Sequence, residues 1–192
     1  MCNTAKNIQN LCSLWETVGR AFNGFQIAAR QRTSLVPGAD WPNRIWFSQE
    51  PQASDLIAAR QQMRESAINL SISYWPQQAT ANSAFEELGF EQKSTQIGMS
   101  LQLEKPDTAP QRLTFLRVEQ ADDAERWARV YPLCFGYSIP AEILVKTKLT
   151  IDYYLVSYQG EDIGTAIAYY SGDCLGIHGL GVVPSMRKQG FA

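Results

Sequence analysis

Several residue types that carry metal or redox chemistry are scarce in this chain. The 192-residue sequence has one histidine, His178, and four cysteines: Cys2, Cys12, Cys134 and Cys174. The cysteines form no C-x-x-C pair, and their spacing fits neither a zinc site nor a compact disulfide framework. We therefore predict four reduced, mostly buried thiols and no metal-binding site.

Long apolar runs are also absent. No stretch reaches the roughly 18 apolar residues that a membrane-spanning helix needs. The first ten residues are polar and lack the apolar centre of a secretion signal. Together with the reduced cysteines, this predicts a cytoplasmic protein with no membrane partner.

The chain has no basic field. Its net charge is −2, and its lysines and arginines are scattered along the sequence. This balance argues against a nucleic-acid partner, which usually needs a basic patch. A hydrophobic content of 45% and a charged content of 19% are ordinary for a globular protein. The length fits one full domain or two small ones, and a homodimer is compatible with it.

The first half shows alternating helix and strand patterns. Helical periodicity covers residues 7–22, a region opening at 51–55 with Ser54 as its cap, and 81–88 before Gly89. Strands are predicted at 25–31, 44–47, 68–74 and 97–103. Two prolines in residues 105–111 then mark a linker, because proline resists both helix and strand.

The second half reads as a strand, two helices and a three-stranded meander. The strand covers 113–118, and the first helix starts near Asp122 and ends at Pro132 and Gly136. The second helix covers 141–148, after Ser138 and Pro140 as cap and first turn. The meander consists of strands at 152–158, 163–170 and 174–182, joined by glycine-containing turns.

A basic, glycine-containing turn follows the last strand. Residues 182–192 read V-x-P-x-x-R-x-x-G-x-A. A strand that feeds such a turn aims backbone N–H groups at one point, which suits a phosphate or pyrophosphate. The pattern is not a P-loop, because no G-x-x-x-x-G-K-[ST] is present. It is not a dinucleotide fingerprint either, because Pro184 stands where that motif needs glycine.

The terminal motif, with the meander before it, resembles the acyl-CoA-binding signature of the GCN5-related N-acetyltransferases, the GNAT family. Residues 82–90, from Asn82 to Phe90, resemble a helix and turn from the later part of a GNAT domain. That family often has a tyrosine general acid on this helix, where this chain has Phe85. The resemblance implies an α+β fold, with a mixed, mostly antiparallel sheet flanked by helices in two GNAT-like units.

The implied units are a degenerate N-terminal domain at 1–104, a linker at 105–111, and the N-terminal part of an acetyl-CoA-binding domain at 112–192. The helix that normally follows the cradle is not in the sequence, so we expect this chain alone to bind acetyl-CoA poorly and to be inactive. An alternative, ranked lower, pairs the two halves into one composite domain.

The implied activity is acetyl transfer from acetyl-CoA, as cosubstrate, to a primary amine of a small molecule or peptide. The resemblance implies that Val182 and Val183 supply main-chain groups to the pantetheine and the thioester. The cradle for the pyrophosphate is formed by Arg187, Lys188, Gln189, Gly190, Phe191 and Ala192. His178, on the last strand, is a candidate general base or a structural histidine; alternation places it on the same face as Leu180 and Val182. The competing function is a non-catalytic CoA-binding or protein-interaction module, favoured by Phe85.

Overall fold

The computed structural model describes residues 3–76, 83–103 and 112–191. Its helices are α1 (Asn3–Ala21), α2 (Ala53–Glu65), α3 (Ser83–Glu87), α4 (Ala121–Phe135) and α5 (Ala141–Thr147). Its strands are β1 (Phe25–Ala28), β2 (Gln31–Ser34), β3 (Arg44–Phe47), β4 (Ser71–Ile72), β5 (Thr114–Arg117), β6 (Asp152–Tyr158), β7 (Glu161–Ser171) and β8 (Cys174–Val182). No helix in the described ranges is long and apolar enough to cross a membrane.

The contacts divide the chain into two compact units. One combines Met1–Thr17 with Gly98–Ala192, and the other is Val18–Ile97. The predicted linker at 105–111 lies outside the described residues, so the division into 1–104 and 112–192 stays a prediction. The strands form two four-stranded sheets, ordered β1-β2-β3-β4 and β5-β6-β7-β8. The described strands therefore do not form the single composite sheet of the alternative prediction.

The Val18–Ile97 unit packs α2 on the first sheet. Strands β1 to β3 are antiparallel, and β4 pairs in parallel with β3. Ile45, Ala59 and Leu70 form its buried core. Gln52, not the predicted Ser54, caps α2, because the Asp55 carboxylate accepts a hydrogen bond from the Gln52 N–H at 2.9 Å.

Three predicted strands of the first half differ from the structure. The segment at 25–31 is a hairpin, because Ala29 adopts φ +49° and reverses the chain between β1 and β2. Only Ser71–Ile72 pairs within 68–74. The strand at 97–103 is wrong: the segment is irregular, and its four large apolar side chains are 78–85% exposed. A segment with alternating apolar and polar residues forms a β-strand only where the edge of a neighbouring strand is free to pair with it.

In the other unit, β5 to β8 form an antiparallel meander, with α4 packed on one face. Trp127 and Tyr131 of α4 are fully buried there with Tyr153 and Leu155 of β6. Helix α4 begins after Gln120, includes Pro132 and ends at Gly136, which is left-handed with φ +78°. Pro132 therefore does not end the helix as predicted. The opposite face carries exposed Phe115, Tyr170, Ile177 and Leu180.

A β-bulge interrupts the pairing of β7 with β8. Thr165 pairs with Gly181 and Ile167 with His178, so Gly179 and Leu180 together oppose one residue. Gly179 sits at φ +52°, a conformation that glycine adopts at low cost. The extra residue reverses the alternation, so His178 does not share a face with Leu180 and Val182. That prediction was wrong because a bulge leaves the period-two pattern of the sequence unchanged.

Candidate functional site: a turn after strand β8

The end of β8 leads into the glycine-containing turn at residues 184–191, which the sequence predicts to bind a phosphate or pyrophosphate. The Val183 N–H donates to the Ile163 carbonyl at 2.8 Å, which extends the pairing to the turn itself. Pro184–Met186 then forms one 3₁₀ turn, with proline near its start where a missing N–H costs nothing. Lys188 and Gly190 both adopt left-handed conformations, with φ +62° and φ +74°.

The turn has a run of free backbone donors. Among the described residues, the N–H groups of Lys188, Gln189, Gly190 and Phe191 have no hydrogen-bond partner. Successive N–H groups around left-handed residues form concave sites for anions. Open space surrounds the position of a Cβ at Gly190, so glycine is needed there for its conformation rather than for room. These groups fit a phosphate or pyrophosphate.

Arg187 fixes the turn to the protein. Its Nε donates to the Val182 carbonyl at 3.1 Å, and a terminal nitrogen donates to the Cys134 carbonyl at 2.9 Å. The side chain therefore joins the end of β8 to the last turn of α4. Two of the guanidinium nitrogens thus donate to main-chain carbonyls, and the positive charge of Arg187 remains close to the free N–H groups.

Aromatic contacts hold the far end of the turn. The Phe191 ring lies 4.7 Å from the Tyr158 ring, between centroids, and the Arg112 guanidinium lies 5.0 Å from the Phe191 centroid. Phe191 therefore packs against the end of β6, within cation–π distance of Arg112. Ala192, the last predicted cradle residue, lies outside the described residues.

The C-terminal part of α4 approaches β8 closely beside this turn. A Cβ at Gly181 would lie 2.5 Å from the Phe135 ring, so only glycine allows this approach. Tyr131, Phe135 and Tyr137 pack together, and the Tyr131 and Tyr137 hydroxyls are 2.5 Å apart. Burial raises the pKa of Tyr131, which therefore stays protonated.

His178 is half-buried and bonded to helix α1. Its Nε2 lies 2.8 Å from Asn10 Oδ1, and burial lowers the pKa of the imidazole. Asn10 is 1% exposed. Sequence reasoning missed this contact, although Asn10 lies four residues before Leu14 and seven before Thr17, on the stripe of α1 that is partly buried.

Two other predicted or candidate features lie in the Val18–Ile97 unit. Phe85 packs between Tyr74 and Phe90, with ring centroids 4.7 and 5.5 Å away, and has no hydroxyl to donate a proton.

A cleft of about 460 Å³ is lined mainly by glutamine, alanine and other residues of α2. In the described ranges no cluster of histidine, cysteine or carboxylate side chains is arranged to hold a metal.

Comparisons with known proteins support the fold. No family model matches the sequence, and no curated protein matches it. A GCN5-related N-acetyltransferase from Kribbella flavida has a similar structure, with a TM-score of 0.55 and 17% identity over 93% of this chain and 74% of that chain. A functionally unknown conserved protein from Staphylococcus epidermidis has a TM-score of 0.49 and 13% identity over 85% of this chain and 73% of that chain.

The first similarity shows that the fold resembles that of a GNAT protein, in agreement with the fold expected from the sequence. At this identity it establishes the fold alone. The mixed α+β class, with antiparallel-rich sheets and flanking helices, is confirmed.

Proposed function

We propose that this chain is the acetyl-CoA-binding part of an N-acetyltransferase that acts on a primary amine of a small molecule or peptide. The observation that carries the proposal is the run of free N–H groups at 188–191, directly after the last strand of a GNAT-like meander. Acetyl-CoA, the cosubstrate, supplies the acetyl group as a thioester.

In this proposal the turn binds the pyrophosphate through its backbone. Lys188, Gln189, Gly190 and Phe191 donate N–H groups, and the charge of Lys188 adds attraction. The Arg187 side chain acts mainly by holding the turn against Cys134 and Val182. A preorganised set of donors costs little rearrangement when an anion binds.

Val182 and Val183 are proposed to bind the pantetheine arm through main-chain groups. The Val182 carbonyl already accepts from Arg187, and the Val183 N–H already donates to Ile163. A pantetheine contact with the Val183 N–H would replace its bond to Ile163, and this exchange is a specific requirement of the proposal. The Val182 carbonyl oxygen has a second lone pair, so it can accept from pantetheine and keep its bond to Arg187.

His178 is proposed to accept the proton that the amine loses as the acetyl group is transferred, directly or through water. The lowered pKa suits this role, because the imidazole is neutral at pH 7 and can accept a proton. The position that often carries a tyrosine general acid in GNAT proteins is Phe85 here, so proton donation to the thiolate would come from another group or from water.

The proposal is tested by isothermal titration of the protein with coenzyme A. We expect Gly190→Val to weaken binding at least about tenfold, because valine resists the left-handed conformation at φ +74°. The matched control is Gly172→Val, which imposes the same kind of strain at φ +58°, also with open space around its Cβ, in the turn between β7 and β8. Because this chain alone is expected to bind weakly, the titration extends to the highest coenzyme A concentrations that calorimetry allows. Equal affinity of both variants, or no binding by the wild type at those concentrations, would refute the proposal.

Turnover distinguishes enzyme from binding module. The full-length polypeptide encoded by the gene is incubated with acetyl-CoA and a panel of primary amines and peptides, and the release of free thiol is measured. We expect thiol release that depends on the amine. Binding of coenzyme A without acetylation of any amine would instead support the non-catalytic module.

A further inference from the structure

The orientation of the Asn10 amide follows from its neighbours. One terminal atom of the amide lies 3.0 Å from the Tyr169 carbonyl oxygen and 2.7 Å from the Ser171 hydroxyl. A carbonyl oxygen only accepts hydrogen bonds, so the atom that faces it must be the amide nitrogen, Nδ2. The amide oxygen, Oδ1, therefore faces His178.

This orientation determines which imidazole nitrogen carries the proton. Oδ1 only accepts, so His178 Nε2, 2.8 Å away, must donate. In the neutral ring the proton then sits on Nε2, and Nδ1 keeps its lone pair. When the ring is protonated, both nitrogens donate and the same contact is kept.

Gly176 makes this contact sterically possible. A Cβ at this position would lie 1.9 Å from Asn10 Oδ1 and 2.5 Å from His178 Nε2. Any side chain at position 176 would therefore occupy the space of the hydrogen bond. The contact between Asn10 and His178 therefore needs helix α1, strand β8 and the glycine at position 176.

We propose that Asn10 is a positioning residue that holds His178 in the Nε2–H tautomer, so that Nδ1 is the atom that accepts the proton of the amine. In that step the N–H bond of the amine breaks, its electron pair stays on the amine nitrogen, and the lone pair of Nδ1 forms the new N–H bond. The proton transfer to Nδ1 rests on the proposed function. The Nε2–H tautomer itself does not, because it is a property of the free protein.

The test is long-range ¹H–¹⁵N NMR of the imidazole in the free protein, which contains a single histidine. Above the pH of titration we expect one neutral form, protonated on Nε2, with slow solvent exchange of that proton. Asn10→Leu should introduce a measurable Nδ1–H population and faster exchange of the Nε2 proton. Asn10→Asp should keep the single tautomer: its carboxyl, protonated on the oxygen that faces the Tyr169 carbonyl, still offers the other oxygen to Nε2 as an acceptor.

Ser171→Ala is the matched control, because it removes one partner of Asn10 and leaves the Tyr169 carbonyl and His178 in place. We expect it to leave the tautomer unchanged. A wild-type ring protonated on Nδ1 would overturn the inference. So would an Asn10→Leu protein with unchanged tautomer and exchange. If that variant does not fold, the wild type and Asn10→Asp decide the outcome.

The two proposals fail separately. If coenzyme A does not bind while the Nε2–H tautomer is found and depends on Asn10, the function is refuted and the positioning contact remains. If acetyl transfer is observed with a ring protonated on Nδ1, only the role of Asn10 is refuted.

Discussion

Adding one methyl group at Gly176 tests the packing around His178. In Gly176→Ala the new Cβ would start 1.9 Å from Asn10 Oδ1, whereas ordinary contact begins beyond 3.4 Å. Asn10 would have to retreat by about 1.5 Å, the difference between these two distances. Such a shift breaks its hydrogen bonds to Tyr169, Ser171 and His178.

The expected cost follows from these losses. Overpacking costs about 1–3 kcal/mol, and leaving a buried amide unpaired costs about 1–3 kcal/mol. Alanine also lowers the conformational entropy of the unfolded chain, which offsets about 0.4–1 kcal/mol of this loss in stability. We therefore expect Gly176→Ala to lower the free energy of unfolding by about 3 kcal/mol. Gly172→Ala, which meets no neighbour, should cost about 1–2 kcal/mol through its left-handed backbone alone.

The assay is urea denaturation followed by the NMR signal of the single imidazole, which reports on the unit that contains His178. In an Asn10→Ala background the clash with Oδ1 disappears, so Gly176→Ala should cost about 1–2 kcal/mol less than in the wild type. Equal costs in both backgrounds, or a cost no larger than that of Gly172→Ala, would refute the reasoning.

Three further predictions concern other groups. Burial lowers the folded-state pKa of His178, so unfolding takes up a proton once the pH falls below about 6.5. Urea midpoints should therefore fall as the pH drops below that value, and less so in His178→Gln. Arg187→Lys keeps the charge but cannot hold the Val182 and Cys134 carbonyls together, so titration calorimetry should show coenzyme A affinity reduced about tenfold; unchanged affinity would mean that charge alone matters. Burial raises the pKa of Cys12 to about 12, so at pH 8 a thiol reagent should modify it far faster in urea than in the folded protein.

The meander could be read from the sequence because its signals are local. Strands β6 and β8 begin and end where alternation and the glycine turns predicted. The strand at 97–103 was wrongly predicted because alternating apolar residues indicate only that one face of a strand could be buried. They do not show that another strand is available to pair with the segment. The bulge at Gly179 was missed because one inserted residue leaves the sequence pattern of β8 unchanged while reversing its faces.

The candidate site also has one part that could be predicted from the sequence and one part that could not. The turn at 187–191 follows from motif spacing, since proline, arginine and glycine occupy fixed positions in a short segment. The contact of Asn10 with His178 joins residues 168 positions apart and depends on Gly176 in between. No local pattern encodes such a contact, and only the fold brings its members together.

The central claim is that the free N–H groups of the turn bind the pyrophosphate of coenzyme A. It is tested most directly by ¹H–¹⁵N chemical-shift titration of the backbone amides. The account predicts that the amides of residues 188–191 shift with coenzyme A and with ADP, and do not shift with phosphate-free pantetheine. Unchanged amides at 188–191 with coenzyme A, or equal shifts with pantetheine, would contradict it.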